Sequence, residues 1–333
     1  MPGNGPIKLK LLYLLDIFKN MTDEEHPMNA HELHDALLKY DINAERKSIY
    51  SAILELQIYG YDIVQTRKPK HGYFMGKRLF EMAEVRLFMD AVQAAKFISP
   101  EKSKEMIQKL LKSVSIYQAQ TLNSQVYVYH RGKRENEGLF ENIEIIHTAI
   151  SRHQKIQVVY HQRKSFTKDV SPSGSKTLIV SPYALIWSND HYYLIGNNEK
   201  YDNIMHLRVD RMEEVCLLDA RIRPFEEVSV YQGFFDAADY AQKTFNMFSG
   251  KQEIIEIRCK NEMLDEIIDH FGSNISIRAS GDHHFLVRER AMISEGLVSW
   301  ILQFGANVEV ISPQSMRDQV TGKIMEMKQL YMR

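Results

Sequence analysis

Leu178-Ile-Val-Ser-Pro-Tyr-Ala-Leu-Ile-Trp187, Asp190-His-Tyr-Tyr-Leu-Ile-Gly196 and His206-Leu-Arg-Val-Asp-Arg211 follow one another in quick succession. Each run is short and rich in β-branched or aromatic residues, and Pro182, Gly196 and polar turns punctuate them. This pattern predicts three strands of a small, strongly bent β-structure. In the last run, period-two alternation sets Met205, Leu207 and Val209 on one face and His206, Arg208 and Asp210 on the other.

Reading outward, residues 155–160 alternate like a further strand and residues 144–151 have helical spacing. A basic turn over 161–168 follows, and Pro224 marks the exit from the module. Pro182, the tripeptide Tyr192-Tyr193-Leu194 and the run Arg208-Val-Asp210-Arg211 resemble the WYL domain. That domain is a small Sm/SH3-like β-barrel of bacterial transcription regulators. Its pattern is a Pro, a Trp-Tyr-Leu tripeptide and an Arg-x-Asp-Arg strand; here Tyr192 stands in place of the Trp. The resemblance implies an effector site that includes Tyr193, Arg208 and Arg211. Strand alternation adds Tyr160 and His206 as residues a strand can aim at the same cavity. An arginine can hold a phosphate bidentately and a tyrosine can stack on a base, so the implied effector is an anion, a nucleotide or oligonucleotide. The opposing reading keeps Asp210 as an internal partner of Arg208 or Arg211, with the tyrosines as barrel filling.

At the amino end, residues 7–18 carry Leu11, Leu14, Leu15 and Phe18 at helical spacing. Asn29 sits where a cap belongs before a short helix with Leu33, Leu37 and Leu38. A tight polar turn over 40–44 leads to a third helix, ended by Gly60. At about 100° per residue, Ile49, Ala52, Ile53 and Leu56 share the arc that faces the core. Lys47 and Ser51 lie opposite, Tyr50 to one side, and Arg46 and Ser48 near the amino end. Two short strands then flank the basic tip Arg67-Lys68-Pro-Lys70-His71. Helix, short helix, turn, helix and basic hairpin is the outline of a winged helix-turn-helix. The run Lys47-Ser48-Ile49 with Ile53, Gly60 and Gly72-Tyr73 resembles the DeoR-like and WYL regulators. Ser51 and Ala52 replace the Arg and Asp usual there. The DNA contacts so implied are Arg46, Lys47, Ser48, Tyr50, Arg67, Lys68, Lys70 and His71.

Residues 79–118 hold two amphipathic runs that suit subunit pairing, and residues 119–138 read as an extended polar link. From 253 onward the elements read strand, helix, strand, strand, helix, strand and a closing helix, with Gly272 and Gly305 ending helices. This βαββαβ order suggests a ferredoxin-like sandwich. Trp300, Gly305 and Val308-Glu-Val-Ile-Ser-Pro313 resemble the WCX extension that often follows a WYL domain. Residues 226–252 read as a linker with aromatic contacts.

The 42 lysines and arginines nearly balance 43 aspartates and glutamates, but unevenly along the chain. Residues 1–43 hold four basic and seven acidic residues, and residues 44–78 hold seven and three. Local anion-binding surfaces therefore matter more than the total. No apolar run is long enough for a signal core or a membrane span, and Cys216 and Cys259 read as free buried thiols of a reducing cytoplasm. Gly174-Ser-Lys-Thr177 lacks the spacing of a phosphate loop, and His31-Glu-Leu-His34 has no third ligand nearby. No catalytic, metal or cofactor site is expected.

The chain is thus expected to be a multidomain α+β protein. A winged helix-turn-helix covers 1–78, a helical connector and dimerisation region 79–138, a WYL barrel 139–225, and a linker with a ferredoxin-like WCX domain 226–333. The expected function is a cytoplasmic, homodimeric transcription regulator that binds a double-stranded operator and senses an anionic effector. The alternative is a nucleic-acid-responsive accessory protein of phage defence acting mainly through the barrel site.

Overall fold

A computed structural model describes residues 5–123, 138–161, 174–233, 235–248, 250–272 and 275–332, and the chain divides into two compact units, Met1–Glu135 and Asn136–Arg333.

The first unit begins with α1 (Gly5–Met21), α2 (Ala30–Leu38) and α3 (Arg46–Tyr59), then β1 (Ile63–Thr66) and β2 (Gly72–Met75). A capping box starts α2. The Asn29 side chain accepts from the amides of His31 and Glu32 at 2.9 and 3.1 Å, and the Glu32 carboxylate accepts from the Asn29 amide at 2.8 Å. Gly60 closes α3 in the left-handed region at φ 114°. Leu14, Ile17 and Phe18 of α1 pack with Leu33 and Leu37 of α2 and with Ile49, Ala52, Ile53 and Leu56 of α3. The arc counted from sequence on α3 is thus the buried one. β1 and β2 form an antiparallel hairpin, and Tyr73 bridges back to Met28. A Cβ at Gly72 would stand 2.8 Å from the Met28 carbonyl carbon, so that bridge requires glycine.

Next come α4 (Met82–Ala94), α5 (Pro100–Leu111) and α6 (Ile116–Asn123), packed around Val85, Met89, Ile107, Leu111, Val114 and Leu122. Ser99 caps α5 through the Lys102 amide, with Pro100 in the first turn. The extended reading from residue 119 is corrected: helix continues through Asn123, and 124–137 lie outside the described residues. The turn before α2 is tied to the start of α6. Buried Asp23 accepts from the Ser115 hydroxyl at 2.5 Å, and His26 stacks on Tyr117 with centroids 3.6 Å apart. Burial opposes ionisation of Asp23, but the hydrogen bonds from Ser115 and His26 outweigh it and hold the carboxyl below its usual range.

The second unit opens with α7 (Leu139–Arg152), followed by β3 (Gln154–His161), β4 (Ser175–Ser188), β5 (His191–Asn197), β6 (Met205–Arg208) and β7 (Met212–Arg221). They form one antiparallel sheet in the order β6-β5-β4-β3-β7. The long strand β4 pairs with β3 through residues 175–180 and with β5 through 181–188, and its register shifts at Pro182. Proline cannot donate to the ladder, so the bend falls there. Asn189 and Asp190, at φ 48° and 57°, make the two-residue turn from β4 to β5. Leu194 and Leu207 point inward with Ile156, Val158, Val180 and Ile146, all buried. Two expectations change here. The alternation in the third run ends at Arg208, because residues Val209–Arg211 form a 3-10 turn. Strand β7, absent from the sequence reading, closes the sheet on β3. The basic turn expected over 161–168 lies outside the described residues apart from His161.

α8 (Ala237–Lys243) interrupts the segment read as a linker. The last part runs β8 (Lys251–Lys260), α9 (Leu264–Phe271), β9 (Ser276–Ala279), β10 (His284–Ile293), α10 (Glu295–Leu302), β11 (Val308–Ser312) and α11 (Gln314–Tyr331). Its four strands are antiparallel in the order β11-β8-β10-β9. Ile255, Ile257, Phe285, Val287 and Val310 pack on Ile267 and Phe271 of α9, Leu297 and Ile301 of α10 and Met316 of α11. The helices therefore cover one face of the sheet. Cys259 is buried in this core, whereas Cys216 is exposed, which corrects the reading of both thiols as buried.

Candidate nucleic-acid and effector surfaces

The residues expected to meet DNA fall on two sides of α3. Lys47 is exposed and makes no ion pair or hydrogen bond among the described residues. Arg46 donates from Nε and Nη2 to the Tyr50 hydroxyl at 3.2 and 3.1 Å, with its guanidinium 5.6 Å from the ring centre. Tyr50 in turn meets Tyr73 edge-on at 6.1 Å, which aims the Arg46–Tyr50 pair toward the hairpin. Ser48 is turned away: the Lys10 ammonium of α1 donates to its hydroxyl at 2.5 Å.

In the hairpin, Arg67, Lys68, Lys70 and His71 are all exposed. Thr66 shapes the tip, its hydroxyl accepting from the Lys68 amide at 3.1 Å and donating to the Lys68 carbonyl at 2.7 Å. Lys70 is paired with Glu32, the capping carboxylate of α2. Burial opposes ionisation of Glu32, but Lys70 and the Asn29 amide outweigh it and keep the carboxyl below its usual range. Between the starts of α2 and α3 and the hairpin lies a groove of about 620 Å³ lined by His31, His34, Arg46, Tyr50 and His71. His34 is fixed in it by Nδ1, 2.9 Å from the Ala44 carbonyl.

On the five-stranded sheet, register pairs Tyr193 with Arg208 and Ile195 with His206. These four share one face, and the structure divides them. Arg208 makes a bidentate pair with Asp210, Nε to Oδ1 at 3.0 Å and Nη2 to Oδ2 at 2.8 Å. The Asp210 side chain has no exposure and that of Arg208 only 13%. The 3-10 turn produces this geometry by folding Asp210 back over the strand that carries Arg208. Arg208 Nη2 also lies 3.1 Å from His191 Nδ1. Arg211, half-buried, keeps a buried Nε with no hydrogen-bond partner among the described residues. Burial raises the Tyr193 phenol above its usual range, and the charge of Arg208 partly offsets that.

The two residues added from strand alternation lie elsewhere. Tyr160 is buried in the core of this sheet, and its hydroxyl accepts from the Arg208 amide at 3.3 Å. It positions the backbone of the arginine strand rather than lining the open side. His206 is covered by α8, with Nε2 2.8 Å from the Tyr240 hydroxyl. Burial pushes its imidazole down to about 4. The structure thus brings Tyr193, Arg208, Asp210 and Arg211 together as a candidate site, and adds His191, which the sequence reading did not name. His191 stands two residues before Tyr193 in the same strand, so strand alternation was a signal that pointed to it.

The WYL domain family matches residues 141–217, and the WCX domain family matches residues 252–328. The chain is a WYL-domain protein with a WCX domain after it. Tyr160, His191, Tyr193, His206, Arg208, Asp210 and Arg211 all lie inside the WYL match. The cover over His206 comes from α8, in the segment between the two matches. Solved structures similar to the chain include proteasome accessory factor B/C (PafBC) of Arthrobacter aurescens, at 14% identity over 93% of this chain and 47% of that one, with a TM-score of 0.30. Another, described as a CRISPR Cas-related protein, shows 10% identity over 98% of this chain and 84% of that one, with a TM-score of 0.25. The chain spans about half the length of the PafBC chain. No curated protein matches this sequence.

Proposed function

We propose that this WYL protein is a sequence-specific DNA-binding transcription regulator whose barrel senses an anionic ligand, a nucleotide or nucleic acid. In this reading the first unit carries a DeoR-like winged helix-turn-helix, the WYL region is an Sm/SH3-like barrel, and the WCX region is a ferredoxin-like sandwich. The protein acts in the cytoplasm as a homodimer on a palindromic operator and performs no catalysis. The observation that carries the reading is the pair of unshared cations Lys47 and Lys68. One stands at the start of a helix whose other side is core, the other on the tip of the adjoining hairpin. Backbone amides and lysines at a helix start suit major-groove entry, and a basic hairpin suits the phosphate backbone.

A footprint on the DNA upstream of the protein's own gene tests this. The Arg46→Ala/Lys47→Ala double variant is expected to lose the protected site, and unchanged affinity in that variant would falsify the assignment. Lys68→Gln is expected to weaken all sequences alike and to shallow the salt slope by about 0.9. Lys70→Gln should change the slope less, since Glu32 already neutralises that ammonium.

Ligand sensing rests on Arg211, whose buried Nε is unmatched while Asp210 is occupied by Arg208. Arg211→Ala is expected to leave the melting temperature unchanged and to abolish the effect of mononucleotides or short oligonucleotides on DNA affinity. An intact response in that variant would remove Arg211 from the site. Linkage then follows: a ligand that favours one arrangement of the DNA readers shifts operator affinity by the same factor with which DNA shifts ligand affinity.

A further inference from the structure

The WCX sheet has a second face that, among the described residues, no helix covers between Arg258 and Arg290; at its end Met292 packs against Tyr240 of α8. Register fixes what stands on it. Arg258 is opposite Leu286, which is opposite Arg278; Glu256 is opposite Arg288; Ile254 is opposite Arg290; and Glu309 on β11 is opposite Arg258. Lys260 continues the same row. Arg258, Arg278, Arg288 and Arg290 are all exposed. Among the described residues only two carboxylates on these strands share the face with the cations, and both are engaged. Glu309 takes Arg258 at 2.7 Å and Arg317 of α11 at 2.9 Å, and Glu256 takes Arg278 at 2.9 Å. Arg288 and Arg290 have no ion pair or hydrogen bond among the described residues.

The opposite side of the same domain is acidic. Glu262, Asp265, Glu266 and Asp269 lie exposed on or just before α9, and Glu295 starts α10. In a chain whose total charge is close to zero, one small domain is thus split into an acidic helical side and a basic sheet side. Such a division orients an approaching polyanion toward the sheet. Beside Arg290 the face continues into a groove of about 500 Å³ that also holds Lys243, Tyr231 and Ile254.

We propose that the open face of the WCX sheet is a phosphate-binding surface on which Arg288 and Arg290, flanked by Arg258 and Arg278, engage the backbone of a nucleic acid. Two arginines at i and i+2 of one strand are about 7 Å apart, close to the step between successive phosphates of an extended strand. Planar guanidinium groups match phosphate oxygens bidentately. Ile254 and Leu286 are the apolar residues among them, no Phe, Tyr or Trp stands in these rows among the described residues, and the one ring, His284, lies at the end opposite Lys260, so the contact is chiefly to phosphate rather than to bases. This surface shares no residue with the amino-terminal unit or with the Arg211 site, so its proposal does not depend on either.

The test uses the full chain, fluorescence anisotropy and two labelled probes, a twenty-residue oligothymidylate and a duplex of unrelated sequence. For Arg288→Gln/Arg290→Gln, binding of the preferred probe is expected to weaken about tenfold at low salt. The salt slope should become shallower by about 1.4 for the single strand or about 1.8 for the duplex. Whichever probe shows the larger loss identifies the form bound. Because both side chains are exposed and unpaired, the melting temperature should stay the same, and Arg288→Lys/Arg290→Lys should restore most of the slope. Unchanged affinity and slope with both probes would overturn the proposal. So would tight binding of an oligoglutamate that the double Gln variant loses while nucleic-acid binding persists, which would make an acidic protein segment the partner.

Discussion

Arg208→Ala is expected to lower stability by about 3–5 kcal/mol, because it removes the guanidinium that pairs bidentately with a fully buried carboxylate. The Asp210 side chain has no exposure, and both its oxygens accept from the Arg208 guanidinium. In a unit of this size the loss corresponds to a fall in melting temperature on the order of 10 °C. Asp210→Ala alone leaves a nearly buried arginine unpaired and should behave similarly. The double variant Arg208→Ala/Asp210→Ala removes both charges and should recover a large part of the loss, because the desolvation penalty disappears with the pair. An unchanged melting temperature in Arg208→Ala would mean that the ion pair is not structural and that Arg208 is held ready for a ligand. The two arginines of the Arg-x-Asp-Arg run therefore separate by role. Arg208 holds the turn through Asp210, and Arg211 keeps a buried Nε without a partner among the described residues, which is what the proposed anion site draws on.

How much of this was legible in the sequence depended on the range of the interactions. The buried arc of α3, the Asn29 cap with Glu32, and Gly60 at the helix end are set by neighbours within four residues, and local pattern reached them. Strand β7 was missed because Glu213 and Glu214 follow its first residue, Met212, and break its apolar positions out of a period-two pattern. The role of Asp210 was open in the sequence, since alternation assigns it a face, whereas the 3-10 turn turns it onto Arg208. The cover over His206 comes from Tyr240, 34 residues further on. Nothing local to β6 signals that contact. Lys70 illustrates the same limit at the hairpin, where its partner Glu32 lies on another element and is itself committed to a cap.

Two half-buried histidines are expected to make the second unit acid-sensitive in a window above that of its carboxylates. His206 is covered by α8 and His270 lies in an aromatic box, its ring 4.4 Å from that of Phe245 and 4.7 Å from that of Trp300. His270 Nε2 is buried without a hydrogen-bond partner among the described residues. Burial pushes both imidazoles down to about 4 from an unfolded value of 6.5. A folded-state value below the unfolded one means that the unfolded chain takes up the proton first. Stability is therefore complete above pH 6.5 and falls as pH drops from 6.5 toward 4. At pH 5 the unfolded state has gained about 1.5 pH units of proton binding at each site, which lowers stability by about 2 kcal/mol per histidine. Thermal melting at pH 7.5 and pH 5.0 should show this loss of about 4 kcal/mol for the two together. His270→Phe keeps the ring in the box beside Phe245, Phe271 and Trp300 and removes the unmatched nitrogen. That variant should lose only about half as much stability between the two pH values, while its stability at pH 7.5 stays equal or rises. The same pH response in the variant as in the parent chain would show that His270 takes up its proton without leaving the box, and that burial there does not exclude the charge.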